Sequence, residues 1–171
     1  MKPLEPLQLA PEEVIYLMKE LGHSFIIDGV LVAIEELWKK FEEVNRRFFG
    51  LYFVYSHYRK AGWVPKCGLK FGTDLVLYFQ GPETSHSRYA VSIDIVTESG
   101  EALPYCPNPH RSWLSFMGMN RVCGNAIKEL VTCVVVVPNG LSQENTFSAS
   151  VLESLNLKHY SFGRWNANKE N

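Results

Sequence analysis

Hydrophobic residues return at helical spacing through the first third of the chain. Val14, Leu17, Met18 and Leu21 stand at i, i+3, i+4 and i+7, and Pro11-Glu12-Glu13 ahead of them supplies a first-turn proline and two acids. Gly22 ends this stretch. Ile34, Leu37, Trp38 and Phe41 form a second stripe, and Leu51, Val54, Tyr55 and Tyr58 a third that stops at Gly62. The period then changes. Trp63 to Lys66 and Leu75 to Phe79 read as strands around a glycine-rich connection, and Gly81-Pro82 stops the second of them. A strand resumes at Arg88 or Tyr89, where Val91, Ile93 and Ile95 alternate with Ser92 and Asp94 as expected of a half-buried strand. Thr97 to Arg111, with Gly100 and three prolines, reads as a loop. Ser112 is placed to cap a helix running to about Leu130, with Leu114, Met117, Ala126, Ile127 and Leu130 inward. Val131 to Val137, β-branched apart from Cys133, predicts a central strand buried on both faces. After Pro138-Asn139-Gly140 and a polar segment, Leu157 to Trp165 predicts a last strand at the sheet edge.

This order gives an α+β fold: a small helical N-terminal region, residues 1–62, followed by a mixed β-sheet domain with a packed helix, residues 63–171.

Composition narrows the class. The 171 residues are 46% hydrophobic and 20% charged, as in a soluble globular protein with one good core or two small ones. No apolar run approaches the roughly 20 residues of a membrane span, and Met1-Lys2-Pro3 opens a proline-containing polar segment unlike a signal peptide, so an intracellular protein with no membrane partner is expected. Cys67, Cys106, Cys123 and Cys133 include no Cys-x-x-Cys pair, which points to reduced thiols rather than a disulfide framework or a metal knuckle. A net charge of −1 excludes a strongly basic chain, so contact with nucleic acid would need a local patch or partner subunits. Between Lys39 and Lys60 six Lys and Arg side chains face two glutamates, a pattern that a solvated helix surface also explains.

Tyr78 ends one predicted strand, His86 sits just before the next, and Lys128 lies late in the helix predicted before Val131. Each alone has an ordinary explanation: a loop histidine is often incidental, and a lysine among inward-facing neighbours usually snorkels. Together they form a metal-free set for cleaving a phosphodiester that carries its own nucleophile, the 2′-hydroxyl of RNA. That reaction needs one group to take the hydroxyl proton, one to protonate the departing 5′-oxygen and one to stabilise the phosphorane charge. Histidine titrates near neutrality and lysine is a compact cation. Tyrosine, with a reference pKa of about 10, is the weak member and needs a nearby cation or a merely orienting role. Asp74, Glu83 and Asp94 carry no mark of a metal-ligand set, and neither a phosphate-binding Gly-x-x-x-x-Gly-Lys loop nor a Gly-x-Ser-x-Gly elbow is present. No cofactor is called for.

The run from Tyr55-Ser56-His57-Tyr58 through Gly62-Trp63-Val64-Pro65-Lys66-Cys67-Gly68-Leu69-Lys70-Phe71-Gly72-Thr73-Asp74 to Tyr78, then Gly81-Pro82 and His86-Ser87-Arg88-Tyr89, resembles the catalytic subunits of tRNA-splicing endonucleases. The similarity extends from about residue 50 to Trp165. It implies a triad of Tyr78 as general base, His86 as general acid and Lys128 as transition-state cation. The products would be a 2′,3′-cyclic phosphate and a 5′-hydroxyl, without a metal. Trp63-Val64-Pro65-Lys66 and Leu69 to Asp74 look most like the subunit that cuts the 5′ splice site; the 3′-site subunit and a non-catalytic RNA-binding or assembly subunit are the alternatives. Arg121 and Trp165 match a pair that grips an intron base, and both side-chain types stack on bases. The resemblance further implies precursor tRNA as substrate, a heterotetramer with other splicing-endonuclease subunits, and a nuclear location. Leu157 to Trp165 is the candidate subunit-pairing strand and Thr97 to Arg111 a second contact surface. Compared with eukaryotic subunits of this type, which usually carry a longer N-terminal region, only about 60 residues precede the motif.

Overall fold

The computed structural model describes residues 6–106, 108, 112–139 and 149–162. The three predicted N-terminal helices form as α1 (Pro11–Leu21), α2 (Ile34–Val44) and α3 (Phe48–Lys60). At the head of α1 the Ala10 N–H donates to Glu13 Oε2 at 2.9 Å, and Gly22 ends the helix in the left-handed region at φ 68°. A two-residue hairpin, β1 (Ile26–Ile27) with β2 (Val30–Leu31), turns between α1 and α2. The hydrophobic pattern does not reveal it, but its turn is Asp28-Gly29, both at positive φ, a pairing suited to the twist of a tight hairpin. α3 is more deeply buried than an amphipathic stripe predicts, from Phe48 and Phe49 through Tyr58. Gly50 lets it press on the sheet, since a Cβ there would lie 2.5 Å from Ile95 Cδ1.

The sheet runs β3 (Val64–Cys67), β4 (Leu75–Tyr78), β5 (Tyr89–Thr97), β6 (Glu129–Val137) and β7 (Asn156–Phe162), in that spatial order. All neighbours are antiparallel except β5 and β6, whose parallel pairing requires a crossover, and α4 (Trp113–Asn125) supplies it. One face, with Leu75, Leu77, Val91, Ile93, Ile95, Cys133 and Val135, packs on the helices α1 to α3. The opposite face, with Val76, Ala90 and Leu130, packs on Met119 and Cys123 of α4. A short α5 (Ala149–Ser154) precedes β7. The fold is α+β with a mixed five-stranded sheet, as expected.

Several local expectations are corrected. α4 begins after Ser112, whose Oγ accepts from Ser115 N at 3.2 Å, but it ends at Asn125 and not near Leu130. Ile127 turns into the left-handed region at φ 54°, Ile127 N donates to Gly124 O and Lys128 N donates to Cys123 O, closing a Schellman motif. Lys128 therefore lies in the turn before β6, outside the helix. Leu114, Met117 and Ile127 are exposed, Ala126 is half-buried, and Leu130 is buried as a strand residue. The inward positions of α4 are Met119 and Cys123, one turn apart.

β5 is more than half-buried: Ser92 is buried as well as its apolar neighbours, while Asp94 is half-buried. β6 is the reverse, alternating buried Val131, Cys133, Val135 and Val137 with half-buried Thr132, Val134 and Val136, because α4 reaches only its Leu130 end. The loop after β5 starts with a tight return, Thr97 N to Glu101 O at 2.9 Å and a bridge from Val96 to Ala102. Residues 107 and 109–111, the segment 140–148 and the end of the predicted last strand, residues 163–165, lie outside the described residues. No helix among the described residues is long and apolar enough to cross a membrane.

The Lys39–Lys60 basic excess is largely engaged at home. Lys40 pairs with Glu36, Lys60 with Glu20 and Arg47 with Asp74.

Candidate active site

Tyr78 is the last residue of β4, and its neighbour Leu77 pairs with Tyr89, which in turn pairs with Glu129. β4 is antiparallel to β5 and β5 parallel to β6, so the end of β4 and the starts of β5 and β6 meet at one end of the sheet. Where the pairing ends, Arg88 N donates to Leu77 O at 3.0 Å, and Glu129 N to Arg88 O at 3.1 Å. The row Val76, Ala90, Leu130 lies under α4, and Tyr78, Arg88 and Lys128 each stand two residues away along their own chain segments, past the residues that pair β4 with β5 and β5 with β6, at the same end of the sheet. β5 lies between β4 and β6, so Tyr78 and Lys128 are separated by two strand spacings, roughly 10 Å.

Tyr78 is half-buried and packs against the cluster under α4. His86 is exposed on the connection between β4 and β5. Gly81, at φ 106°, forms the hub of that connection, its carbonyl accepting from Thr84 N at 3.4 Å and Ser85 N at 3.3 Å. Ser87, buried next to His86, anchors the loop, and its carbonyl accepts from Lys128 Nζ at 2.9 Å. The ammonium also lies 4.7 Å from the centre of the Phe71 ring. Beneath it, burial pushes the Cys123 thiol up, with the Lys128 charge acting in the opposite sense.

The three predicted residues thus share one end of the sheet, one on a strand end, one on a loop and one in a helix-to-strand turn. Arg121 is exposed on α4, seven residues before Lys128 in sequence. Trp165 lies outside the described residues. Asp74 faces Arg47 as a structural ion pair, and no group of three or more His, Cys, Asp or Glu able to hold a metal occurs among the described residues. Sequence reasoning did not single out Phe71, Ser87 or Arg88. An aromatic held in a glycine-bounded turn, Gly68 to Gly72, was the available signal for Phe71; a carbonyl contact such as that of Ser87 leaves none.

A cavity of about 480 Å³ lies elsewhere, between α1, α3 and α5, with Lys19, Tyr52, Lys60 and Leu155 on its walls. None of Tyr78, His86 or Lys128 lines it.

Residues 48–141, which contain Tyr78, His86, Arg121 and Lys128, match the sequence profile of the tRNA intron endonuclease catalytic C-terminal domain. Over 167 residues the chain is 36% identical to the tRNA-splicing endonuclease subunit Sen2 of Gallus gallus, covering 97% of this chain and 36% of that one. It is 31% identical over 134 residues to the tRNA-splicing endonuclease subunit SEN2 of Saccharomyces cerevisiae, covering 78% and 32%. To the tRNA-splicing endonuclease of Saccharolobus islandicus it is 30% identical over 135 residues, covering 77% and 67%. The chain spans about a third of the length of the chicken and yeast relatives.

Proposed function

The chain belongs to the tRNA intron endonuclease family, and from that premise we propose that it is a catalytic subunit of a tRNA-splicing endonuclease, cutting precursor tRNA at the 5′ splice site. The observation that carries this reading is the shared sheet end of Tyr78 and Lys128, with the His86 loop tied to Lys128 through the Ser87 carbonyl.

Tyr78, as its phenolate, takes the proton of the 2′-hydroxyl, whose oxygen attacks the adjacent phosphorus. The bond to the 5′-oxygen breaks as His86 gives that oxygen a proton. Lys128 stabilises the charge on the nonbridging oxygens; a lysine ammonium has three N–H donors, and only one is engaged by Ser87. The products are a 2′,3′-cyclic phosphate and a 5′-hydroxyl, formed without a metal. Arg121, exposed on α4, holds an intron base together with Trp165. β7 is the outer strand of the sheet among the described residues, and its outer edge joins a partner in a four-subunit assembly that works in the nucleus.

The test is cleavage of an intron-containing precursor tRNA by the reconstituted complex in EDTA, comparing His86→Ala with the parent and mapping both junctions. The expected result is a cyclic phosphate on the parent's 5′ exon and a loss at the 5′ junction on the order of 100- to 10,000-fold. Loss at the 3′ junction alone would reassign the chain to the 3′ site. Equal cleavage at both would make it a non-catalytic subunit.

A further inference from the structure

The ammonium of Lys128 is held between two unlike partners. The Ser87 carbonyl accepts one N–H at 2.9 Å, and the Phe71 ring lies below the charge at 4.7 Å. No carboxylate pairs with Lys128 among the described residues. This combination suits a cation that must meet a phosphate. A carboxylate would neutralise the charge and repel the substrate, whereas an aromatic face attracts the ammonium through its quadrupole and leaves its other N–H groups to point elsewhere.

The ring is itself firmly placed. Phe71 closes a 3₁₀ turn, Leu69–Phe71, with its N–H on Gly68 O at 2.8 Å, and Gly72 follows in the left-handed region at φ 72°. Thr73 Oγ1 reaches Gly68 O and Leu75 O, tying the turn to the start of β4. The ring also packs against the cluster beneath α4.

We propose that Phe71 is a positioning residue for the cleavage reaction: its π face holds the Lys128 ammonium in the orientation that meets the nonbridging phosphate oxygens. The inference rests on the reading of Lys128 as the transition-state cation. Lys70 also approaches the ring, at 5.9 Å, but sits at the outer limit of such contacts.

Truncating Phe71 would disturb the cluster as well as the lysine, so the test keeps the ring's shape and changes its electrons. Phe71 is replaced by mono-, tri- and pentafluorophenylalanine in the full chain, and the complex is assembled with its partner subunits. Single-turnover cleavage at the 5′ junction, binding of precursor tRNA and Tm are then measured. The expected result is a stepwise fall in the cleavage rate with each added fluorine, reaching roughly 2- to 30-fold, the span that a contact of this kind corresponds to. Binding and Tm stay level, Phe71→Tyr retains the rate, and Lys70→Ala leaves the fluorine dependence in place. A flat series, a fall that follows Tm, or a dependence that vanishes with Lys70→Ala overturns the proposal. Lys128→Ala in the same assay separates the two levels. If it cleaves normally, the assignment of Lys128 fails and the role of Phe71 with it. If it is inactive while the series is flat, only the role of Phe71 fails.

Discussion

Arg47 holds Asp74 with both arms of its guanidinium, Nη1 to Oδ1 at 2.9 Å and Nη2 to Oδ2 at 3.1 Å, across 27 positions of sequence. Asp74 Oδ2 also accepts the Ile93 N–H at 2.7 Å, and Arg47 Nη2 donates to the Ile93 carbonyl. β4 starts only at Leu75, opposite Val91, so Ile93 lies past the end of its neighbour. The ion pair stands in for the absent strand residue and satisfies both backbone groups. It fixes the start of β4, and through it the turn that carries Phe71 and the strand that ends in Tyr78.

Breaking this pair on one side leaves a charge and a strand amide or carbonyl uncompensated in a site where the two side chains are 12% and 11% exposed. Arg47→Met or Asp74→Leu should each cost about 3–5 kcal/mol, as for other buried pairs. The double variant should cost less than the sum of the two, because neither charge is then orphaned. Urea denaturation of the four proteins measures this; additive losses would show that the pair is not coupled.

Two glycines give opposite expectations for the same change. A Cβ on Gly68 would lie 2.4 Å from Thr73 Oγ1 and 2.8 Å from the Thr73 carbonyl, with backbone atoms that cannot move aside. Gly68→Ala should destabilise by roughly 1–3 kcal/mol and disturb the turn under Lys128. Gly118, in the middle of α4, has nothing within 4 Å of the same Cβ. Gly118→Ala should stabilise by roughly 0.5–1 kcal/mol through helix propensity alone. Thermal unfolding of the pair separates them, and a stabilised Gly68→Ala would contradict the turn geometry.

Periodicity made the three N-terminal helices and the sheet strands legible, because their apolar stripes are regular, and α1 and α3 are followed by glycines in left-handed conformations, Gly22 and Gly62, whereas α2 stops at Asn45 in extended backbone. It failed where one residue type serves two patterns. Ala126, Ile127 and Leu130 continue an apolar rhythm after α4, yet the chain turns at Ile127 with a β-branched residue where glycine is usual, and no sequence signal marks the end. The depth of β5 and β6 depends on how far α4 lies over the sheet, a tertiary fact absent from any single strand. Tyr78 and His86 stand out as candidates from the strand–turn–strand pattern. Lys128 is a candidate by residue type and resemblance, but its place in a turn follows from the Schellman closure. Phe71 and the Ser87 carbonyl required the fold, since their link to Lys128 spans 57 and 41 positions.

The cysteines should differ sharply in reactivity. Cys67 is exposed at the end of β3. Burial pushes the thiols of Cys106 and Cys133 up to about 11, and Cys133 lies 3.3 Å from the Tyr58 hydroxyl. Burial also raises Cys123. The thiolate is the reactive form, and a group of pKa about 11 is roughly one part in a thousand ionised at pH 8. Iodoacetamide at pH 8 should therefore label Cys67 first, with the other three following only on denaturation. Peptide mass spectrometry over a time course reads the order, and early labelling of Cys133 would contradict its burial beside Tyr58.

Ile127 offers the last expectation. It occupies the left-handed position of the Schellman motif at φ 54° while its side chain is 91% exposed, so it bears the strain of a β-branched residue there without the return of burial. That strain is on the order of 1–2 kcal/mol for a non-glycine residue. Asparagine tolerates the left-handed region and adds less chain entropy to the unfolded state than glycine does. Ile127→Asn should therefore stabilise the protein by about 0.5–1.5 kcal/mol. The Lys128 N–H remains bonded to Cys123 O at 2.9 Å whatever side chain precedes it, so cleavage should stay within about twofold of the parent. Unfolding and cleavage measured on the same preparation check both halves. A destabilised Ile127→Asn would mean that the turn is not left-handed, and a stabilised but inactive one would mean that the exposed isoleucine itself meets the RNA or a partner subunit.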